Sequence, residues 1–148
     1  MKVKCIRNQA CLPILTLPID PKCELSDDNF VYSREWHTIN GALQGYSLTP
    51  GKDYKVYAIF MMNDMLRYLA FDDQLVPHFF PDVLFECIEL TLSMDCGFYR
   101  HYTKEATISI IGCEMFEHYE NVAGLIDLQS NALSKIIKYK SFLEMWEE

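Results

Sequence analysis

Residues 48–89 read LTPGKDYKVYAIFMMNDMLRYLAFDDQLVPHFFPDVLFECIE, and this stretch decides the fold. Three aromatic-rich apolar runs are separated by turn chemistry, with acidic residues at the breaks. Thr49-Pro50-Gly51-Lys52 is a turn, because proline presets φ and glycine accepts φ > 0. In the following run, 53–61, Tyr54, Val56, Ala58 and Phe60 share one face, and Lys55, Tyr57, Ile59 and Met61 the other. Both faces are largely apolar, so this strand is expected to be covered on both sides. Met62-Asn63-Asp64 suits a hairpin tip, since Asn and Asp tolerate left-handed backbone. Residues 65–71 return as a second strand that ends at Asp72-Asp73. After a loop reaching Pro81, residues 83–89 give a third.

Outward from this segment the pattern is less regular. Residues 3–6 suit a short strand. Pro13, Pro18 and Pro21 forbid a helix there and favour an extended edge or loop. Phe30, Tyr32 and Trp36 could cover one side of the sheet. Residues 93–102 read as a loop or irregular edge around Gly97. The β-branched run 107–111 is a fourth strand, stopped at Gly112. Residues 114–124 then suit a short helix closed by Gly124. A longer helix follows, capped by Asp127 or Ser130. Its stripe is Leu133, Ile136, Ile137, Lys140, Leu143 and Trp146. The expected architecture is α+β. An antiparallel sheet of four or five strands, able to curl like a small barrel, carries C-terminal helices packed on it. A single domain spans 1–148, with an N-terminal segment at 1–45, the sheet core at 48–111 and the helical part at 114–148.

Half of the residues are hydrophobic (50%) and 14% are aromatic, which excludes a disordered chain. The net charge is -8, and it is uneven: residues 1–40 balance, 41–104 carry −3 and 105–148 carry −5. Such a chain repels nucleic-acid phosphates and anionic lipid headgroups, so no nucleic acid or membrane partner is expected. A partner guided by charge would be basic. No run approaches the ~18 apolar residues of a membrane span. The six cysteines, at 5, 11, 23, 87, 96 and 113, are expected as free, mostly buried thiols in a reducing cytoplasm.

Catalytic signatures are missing from the sequence. It has no G-x-S-x-G, P-loop, G-x-G-x-x-G or H-E-x-x-H. Cys87, Cys96, His101 and Cys113 have metal-donor chemistry but lack the short Cys-x₂₋₄-Cys knuckles of a structural zinc site. Glu114 and His118 share a face of the expected helix, where a surface pair is the commoner outcome. Asp72 and Asp73 would diverge on a strand and read as its terminus. Hence no catalytic residue, metal or cofactor is assigned.

Partner binding fits better. Aromatic rings beside acids make an anchor for a cationic surface: rings supply desolvated area, and carboxylates steer encounter. Two clusters have this mixture. The first is Asp72, Asp73, Phe79, Phe80 and Asp82, expected in a loop. The second is Glu114, Glu117, Tyr119 and Glu120. Against each stands the ordinary alternative of buried rings and a solvated acidic face. Two other functions are compatible with the composition. One is a small enzyme with a cysteine or metal site. The other is a ligand-binding or scaffold domain with a pocket lined by Phe60, Tyr68 and Phe85.

The segments GKDYKVYAI (51–59), YLAFDD (68–73) and PHFFPDVLFE (77–86) together resemble a recurrent pattern of small bacterial proteins. In it a GK-x-Y-x-V-Y strand precedes a Y-L-x-x-DD strand and a P-x-x-[FWY]-P-x-x-LFE segment. It is similar to what is seen among immunity proteins that accompany polymorphic or contact-dependent growth inhibition toxins. The resemblance implies a noncatalytic inhibitor that binds a cognate toxin domain, often a basic nuclease. The matching residues are structural, so the resemblance assigns no binding residue.

Overall fold

The run read as one strand from 53 to 61 is two strands in two different sheets. In the computed structural model, which describes residues 1–11, 43–62, 65–92, 95–104 and 106–146, the exchange falls between Val56 and Tyr57. The Val56 amide donates to the Met1 carbonyl at 2.9 Å, whereas the Tyr57 amide donates to Leu69 at 2.8 Å. Successive amides thus bond to different sheets. The residues that the prolines and Phe30, Tyr32 and Trp36 occupy, and the tip at 63–64, lie outside the described residues.

The strands are β1 (Lys2–Cys5), β2 (Gln9–Cys11), β3 (Leu43–Gly45), β4 (Asp53–Lys55), β5 (Ala58–Met62), β6 (Met65–Phe71), β7 (Pro77–Pro81), β8 (Phe85–Glu89), β9 (Gly97–Tyr102) and β10 (Thr107–Gly112). Two helices follow, α1 (Tyr119–Ile126) and α2 (Ser130–Trp146). One sheet has three strands in the order β4-β1-β8, and the main sheet has five in the order β7-β6-β5-β10-β9. β2 and β3 form a separate two-stranded ribbon. Every pairing is antiparallel, and the main sheet is open, with β7 and β9 as its edges.

Strand alternation gives the main sheet two apolar faces. Phe60, Leu69, Phe71, Phe79, Ile108 and Ile110 pack with Phe116, Val122, Leu125 and Ile136 beneath the helices. On the other face Ala70 and Phe80, with Ile59 and Tyr68 beside them, pack against Val3, Cys5, Tyr54 and Phe85 of the small sheet. This layering explains why both faces of β5 are apolar. It also divides the pocket expected from Phe60, Tyr68 and Phe85: Phe60 lies on the helix side, and the other two lie on the small-sheet side.

Three other boundaries differ from the sequence reading. Residues 77–81 are a strand, not a loop; their prolines stand at the two ends of an edge strand, where a missing amide is tolerated. The third strand then begins at Phe85, after a 3-10 turn at Asp82–Leu84. Residues 97–102 form the edge strand β9, paired throughout with β10.

Gly124 lies inside α1 and does not close it. A Cβ there would stand 2.8 Å from the Ala132 Cβ, so the glycine permits close approach of the two helices. The left-handed residue after α1 is Leu128, at φ 54°. Asp127 is the C-terminal cap residue of α1, and α2 begins at Ser130. On α2 the packed stripe is Ala132, Ile136, Tyr139 and Leu143, with Leu133 beside it, whereas Ile137 and Trp146 are exposed.

Candidate functional site

The two acidic-aromatic clusters meet opposite fates. In the first, both rings are core. Phe80 is 0% exposed, with its ring edge-on to Tyr46 and Phe85 at centroid distances of 5.6 and 6.1 Å. Phe79 is also buried, on the other face, against Phe60. Strand alternation separates them, so Phe79 and Phe80 cannot anchor a partner.

The acids of that cluster are also occupied. Asp72 is buried, and its Oδ1 accepts the amides of Gln74 and Val76, each at 2.9 Å. This closes a turn in which Leu75 adopts φ 63°. Its Oδ2 lies 3.5 Å from His78 Nε2. Burial holds the His78 pKa below its ordinary value, and the Asp72 carboxylate opposes that shift only in part. Asp82 is half-buried, and desolvation raises its pKa despite bonds from nearby backbone amides.

Asp73 fastens the turn at 49–52. Its carboxylate accepts hydrogen bonds from Lys52 Nζ at 2.8 Å, Thr49 Oγ1 at 2.7 Å and the Tyr54 hydroxyl at 2.7 Å. These bonds, the Lys52 ammonium first, hold its pKa at about 2 against an ordinary 3.8. A depressed carboxyl stabilises the fold fully above its unfolded pKa, and the effect is lost as pH falls through the folded value. Replacing Asp73 by alanine is expected to cost about 1–2 kcal/mol at pH 7, in the lower part of the charge-assisted range because the site is open to water. Urea midpoints of wild type and variant should converge progressively between about pH 5 and 1, as pH falls through the unfolded and then the folded pKa; a constant gap would assign the loss to packing.

The second cluster is exposed and forms a ridge. Glu114 and Glu117 stand on a 3-10 turn, Glu114–Glu117, and Tyr119 and Glu120 open α1. All four are exposed, Tyr119 at 43%. Among the described residues none of the three carboxylates is held in an ion pair. No Lys or Arg occurs anywhere in residues 105–134. Glu114 and His118 do not share a helix face, because the helix starts only at Tyr119.

Buried neighbours hold this ridge in place. Phe116, 0% exposed, plugs it into the core. Its carbonyl accepts a hydrogen bond from His101 Nε2 at 2.7 Å, so that nitrogen carries the proton. The His101 ring also lies against Tyr119, at 5.7 Å between centroids. Asn121, buried, donates to the Met115 carbonyl at 2.6 Å and accepts from Lys135 of α2 at 3.0 Å. The acids are therefore presented on a preorganised backbone, which lowers the ordering cost of binding.

Sequence reasoning missed the neighbour of this ridge, β9. Tyr99, on the helix side of the sheet, has a phenol pKa raised by desolvation first, then by the nearby Glu117 and Glu114. Phe98 and Tyr102 point to the opposite face and are exposed, Tyr102 at 77%, with the Arg100 guanidinium 5.6 Å from the Phe98 ring centre. The signal was present in the alternation of GFYRHY, but Gly97 suggested a loop or irregular edge.

The thiols show little nucleophilic character where their state is resolved. Burial pushes the Cys113 pKa to about 11 and raises that of Cys5. Cys87 is exposed on β8 of the small sheet, away from His101 and Cys113. Among the described residues no three His, Cys, Asp or Glu side chains are grouped to hold a metal ion. No helix among the described residues is long and apolar enough to cross a membrane. Comparison with protein-family models, curated proteins and solved structures gives no match.

Proposed function

We propose that this chain is a noncatalytic immunity protein that binds and neutralises a basic toxin domain. The Glu114, Glu117, Tyr119 and Glu120 ridge is its docking surface. The observation that carries this reading is the rigid exposure of three carboxylates and a tyrosine on a stretch with no Lys or Arg. Such a surface covers a cationic cleft: the carboxylates steer the approach, and Tyr119 supplies contact area once water is expelled. The residue pattern of 51–86, similar to that of toxin immunity proteins, supports the biological setting, and the ridge supports the charge of the partner. A complex of ordinary size would bury about 1,600 Å² in total, more than the ridge alone offers. Other exposed positions around the ridge would have to complete the contact.

The test begins with the chain as bait in a lysate of its source organism, eluted with a salt series. A retained basic protein is then titrated with the wild type and with Glu114→Lys/Glu117→Lys/Glu120→Lys. Association of the triple variant is expected to slow roughly tenfold or more at low salt and to lose most of its salt dependence. Glu86→Lys, on the exposed side of β8, should change the rate far less. The retained protein should lose its activity in the presence of the wild type and keep it with the triple variant. Unchanged binding by the triple variant would remove the ridge from the interface and this reading with it.

A further inference from the structure

The register of the outer two strands of the main sheet leads past its last pair to two cysteines. β9 and β10 pair from Thr107 with Tyr102 to Gly112 with Gly97, so the next residues to face each other are Cys113 and Cys96. Cys113 continues its strand with extended backbone, at φ -72° and ψ 171°. Residues directly opposed in an antiparallel pair have Cα atoms about 4.5–5.5 Å apart, and a disulfide takes about 4.4–6.8 Å.

The two side chains share a neighbourhood as well. Each lines a cavity that has Tyr139 in its wall. Burial first, then the nearby Asp95 and Cys96, pushes the Cys113 pKa to about 11, so Cys96 lies within range to act on Cys113. Both cysteines act on the Tyr99 phenol too. Both are thiols, Cys113 buried and Cys96 half-buried. That division suits a two-step exchange, in which the more accessible thiol reacts first and the buried one closes the bond. A buried thiolate is costly, whereas a buried disulfide has no charge to desolvate. In the closing step, proximity makes up for the weak acidity of Cys113.

We propose that Cys96 and Cys113 form a redox modification site, which a low-molecular-weight disulfide of the glutathione disulfide class converts to an intramolecular disulfide. Cys96 gives its proton to water and attacks one sulfur of the small disulfide, which expels one small thiolate and leaves a mixed disulfide. Cys113 then gives up its proton and attacks the Cys96 sulfur, which expels the second small thiolate. Two protein thiols are oxidised, one small disulfide is reduced, and the two protons end on the two small thiols. The new bond would tie the root of the acidic ridge to β9, because Cys113 directly precedes the turn Glu114–Glu117 and its carbonyl accepts the Phe116 amide at 3.1 Å. The chemistry does not depend on what the ridge binds, and its test is independent of any toxin.

The full chain is incubated with glutathione disulfide under native conditions, blocked with iodoacetamide and cleaved after glutamate. Cys87, Cys96 and Cys113 then fall in separate peptides, 87–89, 90–105 and 106–114. Mass spectrometry should find 90–105 joined to 106–114. The bond closes the loop 96–113, so the oxidised chain should melt about 5–10 °C higher and return to the starting Tm with reductant. Cys96→Ser, at the half-buried position, should abolish both the link and the shift. In Cys113→Ala the exchange should stop at the first step, with one glutathione held on Cys96. Cys87→Ser, on the small sheet, should change neither. If Cys113→Ala does not fold, Cys96→Ser and the linked peptides carry the test. A link that forms only in urea, a wild type in which Cys96 keeps glutathione while Cys113 remains open to alkylation, or a Tm rise that survives Cys96→Ser would overturn the proposal.

Discussion

Phe80→Ala is expected to lose about 3–5 kcal/mol of folding stability, a large share of the roughly 5–15 kcal/mol a domain possesses. The ring is 0% exposed and sits where three elements meet: Tyr46, the preceding His78 on its own strand, and Phe85 of the small sheet all approach it edge-on. Removing it leaves a cavity between the two sheets that rigid strands cannot close, so the transfer loss and the cavity cost add. A solvent-facing anchor, as the sequence alone suggested, would lose about 0.5 kcal/mol or less. Urea denaturation of the isolated chain decides between the two. A midpoint within error of wild type would place Phe80 on the surface and refute the layered packing.

Phe116→Ala is expected to cost a similar 3–5 kcal/mol, with a different consequence. Phe116 fills the helix-side core beside Phe79, at 6.5 Å between ring centres, and lies directly over Gly112. A Cβ on Gly112 would stand 2.7 Å from the Phe116 ring, which shows how closely the ring covers the strand. The ring is also the plug of the 3-10 turn that carries Glu114 and Glu117. Its loss should free that turn, weaken the His101 bond to its carbonyl, and loosen the ridge before the sheets separate. Hydrogen exchange should show faster exchange of the amides at 116 and 118 in Phe116→Ala than in Phe80→Ala at matched stability. Equal protection in the two variants would mean that the ridge is held by Asn121 alone.

These expectations bear on how the two acidic clusters could be told apart. In the sequence both are rings beside carboxylates, and their composition is nearly the same. Asp72 and Asp73 are used by the chain itself, one to close its own turn and the other to fasten residues 49–54. Glu114, Glu117 and Glu120 have longer side chains on a turn and a first helical turn, and among the described residues none of them is held in an ion pair. The difference depends on the approach of Lys52, Thr49 and Tyr54, about twenty residues away along the chain. Local spacing contains no record of that approach.

The sequence by itself determined the class of the fold and the sign of the surface. The apolar strand runs at 53–61 and 65–71, the β-branched run at 107–111, the change to a helical period after 114, and the acidic surplus are local or additive properties, and the patterns appear in the α+β structure as antiparallel strands and C-terminal helices. Only the tertiary structure decided that residues 53–61 divide between two sheets, that the proline-bounded 77–81 is an edge strand, and that the rings of one acidic cluster are buried while Tyr119 of the other is exposed. The register that leads to Cys96 and Cys113 belongs to the same class of fact. Burial and register are relations between residues far apart in the chain, set by which apolar faces close on each other, whereas periodicity reports only the face a residue shares with its near neighbours.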